Sequence, residues 1–222
     1  MTRLIIVRHG QSTANKERRL SGQSNVPLTE LGHRQAQATA KYLLAEEKID
    51  AIWCSDLLRA FQTASYYLKQ TDLPVRCWQE LREVDVGEWS GLLMEERDAR
   101  YPEELRLIRE DYPNFTYPGG ESSRELFQRA RRAMLTVAAA HEGQTVAVFC
   151  HGGVARCFEC FAQGMDVSGI HATVPGANCS VNVYEVENGT VRPILYNFTD
   201  HLETVTDTDA DHETDQGGKK KV

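Results

Sequence analysis

Three short apolar runs punctuate the chain: LIIV at 4–7, AIWC at 51–54 and TVAVFC at 145–150. Each is too short for a helix and rich in β-forming residues, so each is expected to be a strand. Few polar positions interrupt them, which means that both faces should be covered, the pattern of a mostly parallel sheet between helices. The segments between carry helical period instead. Leu31, Ala36, Ala40, Leu43 and Leu44 share one face of a helix beginning near Thr29, and Leu57, Leu58, Phe61, Ala64 and Leu68 share a second. A third, the longest, presents Leu126, Ala130, Ala133, Met134 and Val137; the turn Pro118-Gly119-Gly120 precedes it and Ser122-x-x-Glu125 forms a capping box at its start. Near the end, CSVNVYEV and VRPILYN flank Glu187-Asn188-Gly189, which predicts a hairpin with an Asn-Gly turn.

Composition adds boundaries to this α/β reading. The chain has 222 residues, and no compositional break divides the part up to Leu202, which is therefore expected to be one domain, 1–202. Beyond it, residues 203–222 hold six acidic residues and end in three lysines without an aromatic, so a disordered acidic tail is expected. The net charge is −7, of which −3 lies in that tail. An acidic surface disfavours nucleic acid and anionic membrane as partners. No stretch approaches the roughly 20 apolar residues of a membrane span, and the N-terminal segment does not read as a signal peptide. A cytoplasmic protein is expected. Six cysteines, several in apolar segments (Cys54, Cys77, Cys150), are expected as buried thiols in a reducing compartment. Cys157-Phe-Glu-Cys160 has the spacing of a redox pair or half a zinc site, but Val154, Cys157, Phe158 and Phe161 form a helical stripe and no second ligand pair follows. No metal or other cofactor is expected.

The strand ends carry the chemistry. In open α/β sheets ligands collect at the carboxyl ends of the strands. The first predicted strand ends on Arg8-His9-Gly10, the third on Cys150-His151-Gly152-Gly153, and the second on Ser55-Asp56, with Arg59 one helical turn later. A further segment, Leu81 to Trp89, supplies Glu83, Asp85 and Glu88. If these converge, the pocket gathers two arginines, two histidines and an acid, a composition suited to a small dianion such as phosphate. Guanidinium forks would bind its oxygens, and amides of the helix starting at Gly152 would add donors. A neutral imidazole could then attack phosphorus in line, the arginines holding the His9 pKa down. A carboxylic acid could protonate the leaving oxygen and afterwards activate water.

In these residues the chain resembles the histidine phosphatase superfamily, the phosphoglycerate mutase-like proteins, in its cofactor-independent phosphatase branch. The resemblance rests on Arg8-His9-Gly10-Gln11-Ser12 with Asn15, Ser21-Gly22, Pro27-Leu28-Thr29 with Gly32, Ser55-Asp56-Leu57-x-Arg59-Ala60-x-Gln62-Thr63-Ala64, Leu81-Arg82-Glu83, Gly87-x-Trp89-x-Gly91, Pro118-Gly119-Gly120-Glu121-Ser122 and His151-Gly152, in that order over about 1–202. It implies a three-layer α/β sandwich and a metal-independent phosphomonoester hydrolase acting on a small phosphorylated metabolite. It implies further that His9 is the phosphorylated nucleophile, that Arg8, Asn15, Arg59 and His151 hold the phosphoryl group, that Glu83 is the proton donor, and that Ser21 and Gly22 lie on a loop touching substrate. Asp85 and Glu88 remain competitors for the acid role. Arg18, Arg19 and Arg82 are expected to be solvated or structurally paired.

Alternatives remain at this stage. Mutases of the family carry a longer insertion between the acid and the second histidine than the 68 residues separating Glu83 from His151 here, which favours water as acceptor over a phosphoglycerate. A noncatalytic phosphate-recognition protein would keep the pocket without turnover. The residues from 92 to 117 are expected to form helices over the pocket, and they do not identify the substrate. The resemblance allows a homodimer, to which the residues themselves add nothing.

Overall fold

The computed structural model describes residues 1–205. Six strands form one sheet: β1 (Thr2–Arg8), β2 (Ala51–Cys54), β3 (Val75–Cys77), β4 (Thr145–Cys150), β5 (Val181–Glu187) and β6 (Thr190–Phe198), in the order β3-β2-β4-β1-β5-β6. Strands β3, β2, β4 and β1 run parallel, and the β5–β6 hairpin adds on antiparallel to β1. The helices are α1 (Thr13–Lys16), α2 (Glu30–Glu46), α3 (Leu58–Leu68), α4 (Met94–Arg100), α5 (Pro102–Glu110), α6 (Ser123–Ala140) and α7 (Gly152–Ala162).

Alternation along the strands divides the core between the two sheet faces. Leu4, Ile6, Val146, Val148 and Cys150 pack with Ala130, Met134 and Val137 of α6 and with Val154 and Phe158 of α7. Ile5, Val7, Ile52, Cys54, Ala147 and Phe149 face the other way, onto Ala40 and Leu43 of α2 and Ala60, Ala64 and Tyr67 of α3. This is the expected three-layer arrangement with a mostly parallel sheet. The central residues of β1 and β4, 4–7 and 146–150, carry no charged or hydroxyl side chain because each strand is covered on both faces and paired on both edges.

Local signals explain where elements begin. Thr29 caps α2 by accepting from the Gly32 N–H, and Ser122 and Glu125 form the reciprocal capping box at α6. The β5–β6 turn places Asn188 and Gly189 at φ 51° and 80°, the left-handed pair that a two-residue hairpin turn requires.

One cysteine expectation is corrected. Cys77 is exposed, while the other five cysteines are buried, and all six are free. It ends β3, a three-residue edge strand with partly exposed and exposed positions only, so there is no core on either side to enclose its thiol. Cys157 and Cys160 are buried on α7, and burial pushes the Cys160 thiol up to about 11, which leaves it protonated and unreactive. Among the described residues no helix is long and apolar enough to cross a membrane. The tail expected from residue 203 falls, beyond Val205, outside the described residues.

Candidate active site

The pairing of β1 with β4 brings the two histidines together. Their register sets Arg8 beside Cys150, the His9 N–H donates to the Cys150 carbonyl at 3.0 Å, and the rings of His9 and His151 lie 5.2 Å apart between centroids. On the far side of β4, the Ser55 N–H donates to the Phe149 carbonyl at 2.8 Å, so Ser55 stands at the same edge. Its Oγ is 2.8 Å from His151 Nε2. The first turn of α3 then brings in Arg59, whose side chain is fully buried.

Each polar atom of this cluster has an assignable partner or is conspicuously without one. His9 Nδ1 lies 2.7 Å from the Gly10 carbonyl. A carbonyl can only accept, so Nδ1 carries the proton and Nε2 keeps its lone pair. That lone pair accepts from Arg59 Nε at 3.2 Å. Arg59 also donates from Nη1 to the Ser24 carbonyl at 2.9 Å and from Nη2 to the Gly22 carbonyl at 2.7 Å. Arg8 donates from Nη1 to the Gly176 carbonyl. Two buried nitrogens in the cluster, Arg8 Nε and His151 Nδ1, have no hydrogen-bond partner in the protein. Buried polar atoms are rarely left so, and a phosphoryl group is a fitting acceptor for both.

The electrostatics follow from this packing. Burial, then the charges of Arg59 and Arg8, hold the His9 imidazole well below 6.5, and burial with Arg59 and His9 does the same for His151. Burial lowers the Arg59 guanidinium to about 10, opposed by the Glu83 carboxylate, so the cation persists at neutral pH beside a neutral His9. Glu83 is partly buried, and its carboxylate accepts from the Val84 N–H at 2.9 Å and from the Gly153 N–H, in the first turn of α7, at 3.1 Å. Asp85 and Glu88 are exposed; Asp85 accepts from the Gly87 N–H and Glu88 from the Tyr101 hydroxyl.

The remaining expected residues sit around this centre. Asn15 Oδ1 accepts from the Ser12 N–H and hydroxyl and from Asn178 Nδ2, which leaves the Asn15 amide nitrogen to donate elsewhere. Gly22, at φ 45°, offers its carbonyl to Arg59, and Ser21 precedes it with its carbonyl bonded to the Ser24 N–H. Gly152 opens α7, so close to Arg8 that a Cβ there would lie 3.2 Å from Nε. Arg82 is paired with Asp56 and Arg19 with Glu17.

Two contributors have contacts that the sequence does not announce. Ser55, which the strand-end rule places at this edge, bonds His151. Asn178, just before β5, donates to the His9 carbonyl at 3.0 Å and to Asn15; its distance in sequence from His9 hid it. Among the described residues no group of three or more His, Cys, Asp or Glu side chains is arranged to hold a metal ion.

Comparison with known proteins shows the family and the fold. The family model for the histidine phosphatase superfamily (branch 1) matches residues 4–199. Phosphoserine phosphatase 1 of Hydrogenobacter thermophilus is 33% identical over 202 residues, 91% of this chain and 95% of that protein. The Bacillus stearothermophilus YhfR structure superposes with a TM-score of 0.85 at 28% identity, over 91% of this chain and all of the other. Mycobacterial glucosyl-3-phosphoglycerate phosphatase, solved with VO3, gives a TM-score of 0.80 at 31% identity, over 89% of this chain and 99% of that one. Some relatives are longer: the chain spans 41% of a bifunctional protein of Mycobacterium tuberculosis to which it is 39% identical over 150 residues.

Proposed function

This chain belongs to branch 1 of the histidine phosphatase superfamily, and from that premise we propose that it hydrolyses small phosphate monoesters through a phosphohistidine formed at His9, within a single domain over 1–202. One observation carries the reading: His9 is neutral, its Nδ1–H is fixed on the Gly10 carbonyl, and its Nε2 lone pair meets the guanidinium of Arg59.

A phosphoryl group seated between Arg8, Arg59 and His151 accepts from their nitrogens and places its phosphorus in front of Nε2. With Ser55 donating to His151 Nε2, the proton of His151 sits on Nδ1, the buried nitrogen without a protein partner. Asn15 adds its amide nitrogen, and Gly152 the first turn of α7. Arg59 Nε turns its hydrogen from Nε2 onto a phosphoryl oxygen, the freed lone pair attacks phosphorus, the phosphorus–oxygen ester bond breaks, and the Glu83 carboxyl, having taken the proton carried in by the phosphate monoanion, gives it to the leaving oxygen. Charge on the equatorial oxygens is met by cations already in place. Water then enters, Glu83 takes its proton, the new oxygen–phosphorus bond forms and the phosphorus–nitrogen bond breaks, releasing phosphate and restoring the acid. Glu83 fits this role better than Asp85 or Glu88 because it alone of the three reaches the start of α7, where His151 also stands.

The substrate class is a small phosphorylated metabolite, as in the relatives named for phosphoserine and glucosyl-3-phosphoglycerate. Six free cysteines fit a reducing, cytoplasmic setting. The test is turnover of p-nitrophenyl phosphate in chelator by the wild type and by His9→Ala, with capture of the phosphorylated enzyme by an alkaline denaturing quench. Turnover and a base-stable, acid-labile phosphoenzyme in the wild type alone are expected. Equal turnover by His9→Ala would remove the nucleophile; phosphate binding without turnover in either protein would turn the site into a recognition pocket.

A further inference from the structure

The motif Pro118-Gly119-Gly120-Glu121-Ser122 has no part in the chemistry above, yet Glu121 is one half of a largely buried ion pair. Arg129 of α6 binds it bidentately, Nε to Oε1 at 2.8 Å and Nη2 to Oε2 at 2.7 Å, with both side chains 13% exposed. The rest of the guanidinium is turned on the segment that carries Glu83. Nη1 donates to the carbonyls of Glu80 at 2.9 Å and Arg82 at 2.7 Å, and Nη2 to the carbonyl of Glu83 itself at 3.3 Å. A guanidinium has five N–H donors. Here all five are committed to one carboxylate and to three carbonyls within four residues.

Two further contacts converge on the same segment. Gln23 donates from Nε2 to the Glu83 carbonyl at 3.2 Å, and Arg82 is forked onto Asp56 at 2.7 and 2.5 Å. Glu121 is itself tied back, its N–H donating to the Asp85 carbonyl at 2.9 Å and its carboxylate accepting from the Asp85 N–H at 3.3 Å. The segment has no strand ladder to fix it: residues 79–81 form one turn of 3-10 helix and residues 82–86 are irregular.

We propose that Arg129, held by Glu121, is the positioning residue for the proton donor, setting the backbone of residues 80–83 so that the Glu83 carboxylate meets the leaving oxygen. The proposal rests on Glu83 being that donor. An Arg–Glu pair that only stabilised the fold would not need its remaining donors gathered around the acid, whereas a device for placing the acid would.

The two cases separate by leaving group. Phenolate from phenyl phosphate needs a proton as it departs; 2,4-dinitrophenolate does not. The experiment compares kcat/KM for phenyl phosphate and 2,4-dinitrophenyl phosphate in the wild type, Glu83→Gln, Arg129→Met and Arg129→Lys. A misplaced general acid is worth about 100-fold. Arg129→Met is therefore expected to lose about that factor on phenyl phosphate and under about 3-fold on the dinitrophenyl ester, a split that misfolding cannot produce. Arg129→Lys keeps the charge and the pair with Glu121 but cannot fork onto three carbonyls, so it should fold like the wild type and still show the split. If Arg129→Met does not fold, Arg129→Lys alone decides. Equal losses on both esters, or no loss, in the Arg129 variants overturns the clamp while Glu83→Gln keeps its own split. Absence of a split in Glu83→Gln removes the acid role, and the clamp with it.

Discussion

Gly153→Ala is the sharpest perturbation of the acid, because it should cost activity without costing stability. A Cβ at position 153 would stand 2.2 Å from Glu83 Oε1 and 3.2 Å from its carboxyl carbon. Restoring an ordinary 3.4 Å contact moves Oε1 by about 1.2 Å and turns the carboxyl group, whose other oxygen, Oε2, accepts from the Gly153 N–H at 3.1 Å. Displacements of this size at a reacting group cost about 100-fold. The helix pulls the other way. Position 153 has helical backbone in the first turn of α7, where alanine is up to about 1 kcal/mol better than glycine. Melting followed by calorimetry should therefore place the variant within about 3 °C of the wild type or above it, while kcat/KM for phenyl phosphate falls about 100-fold. The neighbouring Gly152→Ala is the control: its Cβ would meet Arg8 Nε at 3.2 Å, a gap that a few tenths of an ångström in a side chain relieve. Full activity in Gly153→Ala would refute the placement of Glu83 against α7. A fall in melting temperature matching the fall in activity would refute the separation of the two effects.

Other outcomes follow from the same geometry. His9 and His151 are neutral in the fold with pKa values held well below 6.5, so the unfolded chain takes up protons that the folded chain refuses as pH falls below 6.5. Stability is complete above that pH and is lost beneath it, by up to about 1.4 kcal/mol per pH unit for each ring. Denaturant titrations between pH 7 and 5.5 should show this slope and a shallower one in His9→Gln; a flat profile contradicts it. Ser55→Ala strips His151 Nε2 of its partner, which should cost about 1–3 kcal/mol of stability and weaken competitive inhibition by inorganic phosphate about tenfold, whereas unchanged inhibition would mean that Ser55 does not set the His151 proton. Chelator should leave turnover unchanged, and a loss restored by zinc or magnesium would overturn the metal-free mechanism.

Much of this was legible in the sequence because the strand ends coincide with chemistry. LIIV and TVAVFC each run into a histidine, and once both are strands of one sheet the histidines share its edge. Caps were legible at Thr29 and Ser122 because side-chain capping is local. The edge strand β3 was not, since VRC has neither alternation nor burial, and Cys77 was misjudged with it. The role of Arg129 was hidden for another reason: its acceptors are main-chain carbonyls, which every residue possesses, so no spacing of residue types announces them. Ser55 and Asn178 act across 96 and 169 residues, on His151 and His9 respectively, distances at which only the folded chain relates one position to another.

The central place of β1 in the sheet has a consequence for biosynthesis. Leu4 pairs with Val146 on one side and Tyr184 on the other, so β1 is made well before either of the strands it pairs with. At about 5–20 residues per second on the ribosome, LIIV waits roughly 10–30 s with both hydrogen-bonding edges open. An apolar strand in that condition is a template for pairing with other chains. Shielding β1 until β4 and β5 have been made would prevent such pairing, and His9 and His151 cannot meet before β4 has been translated.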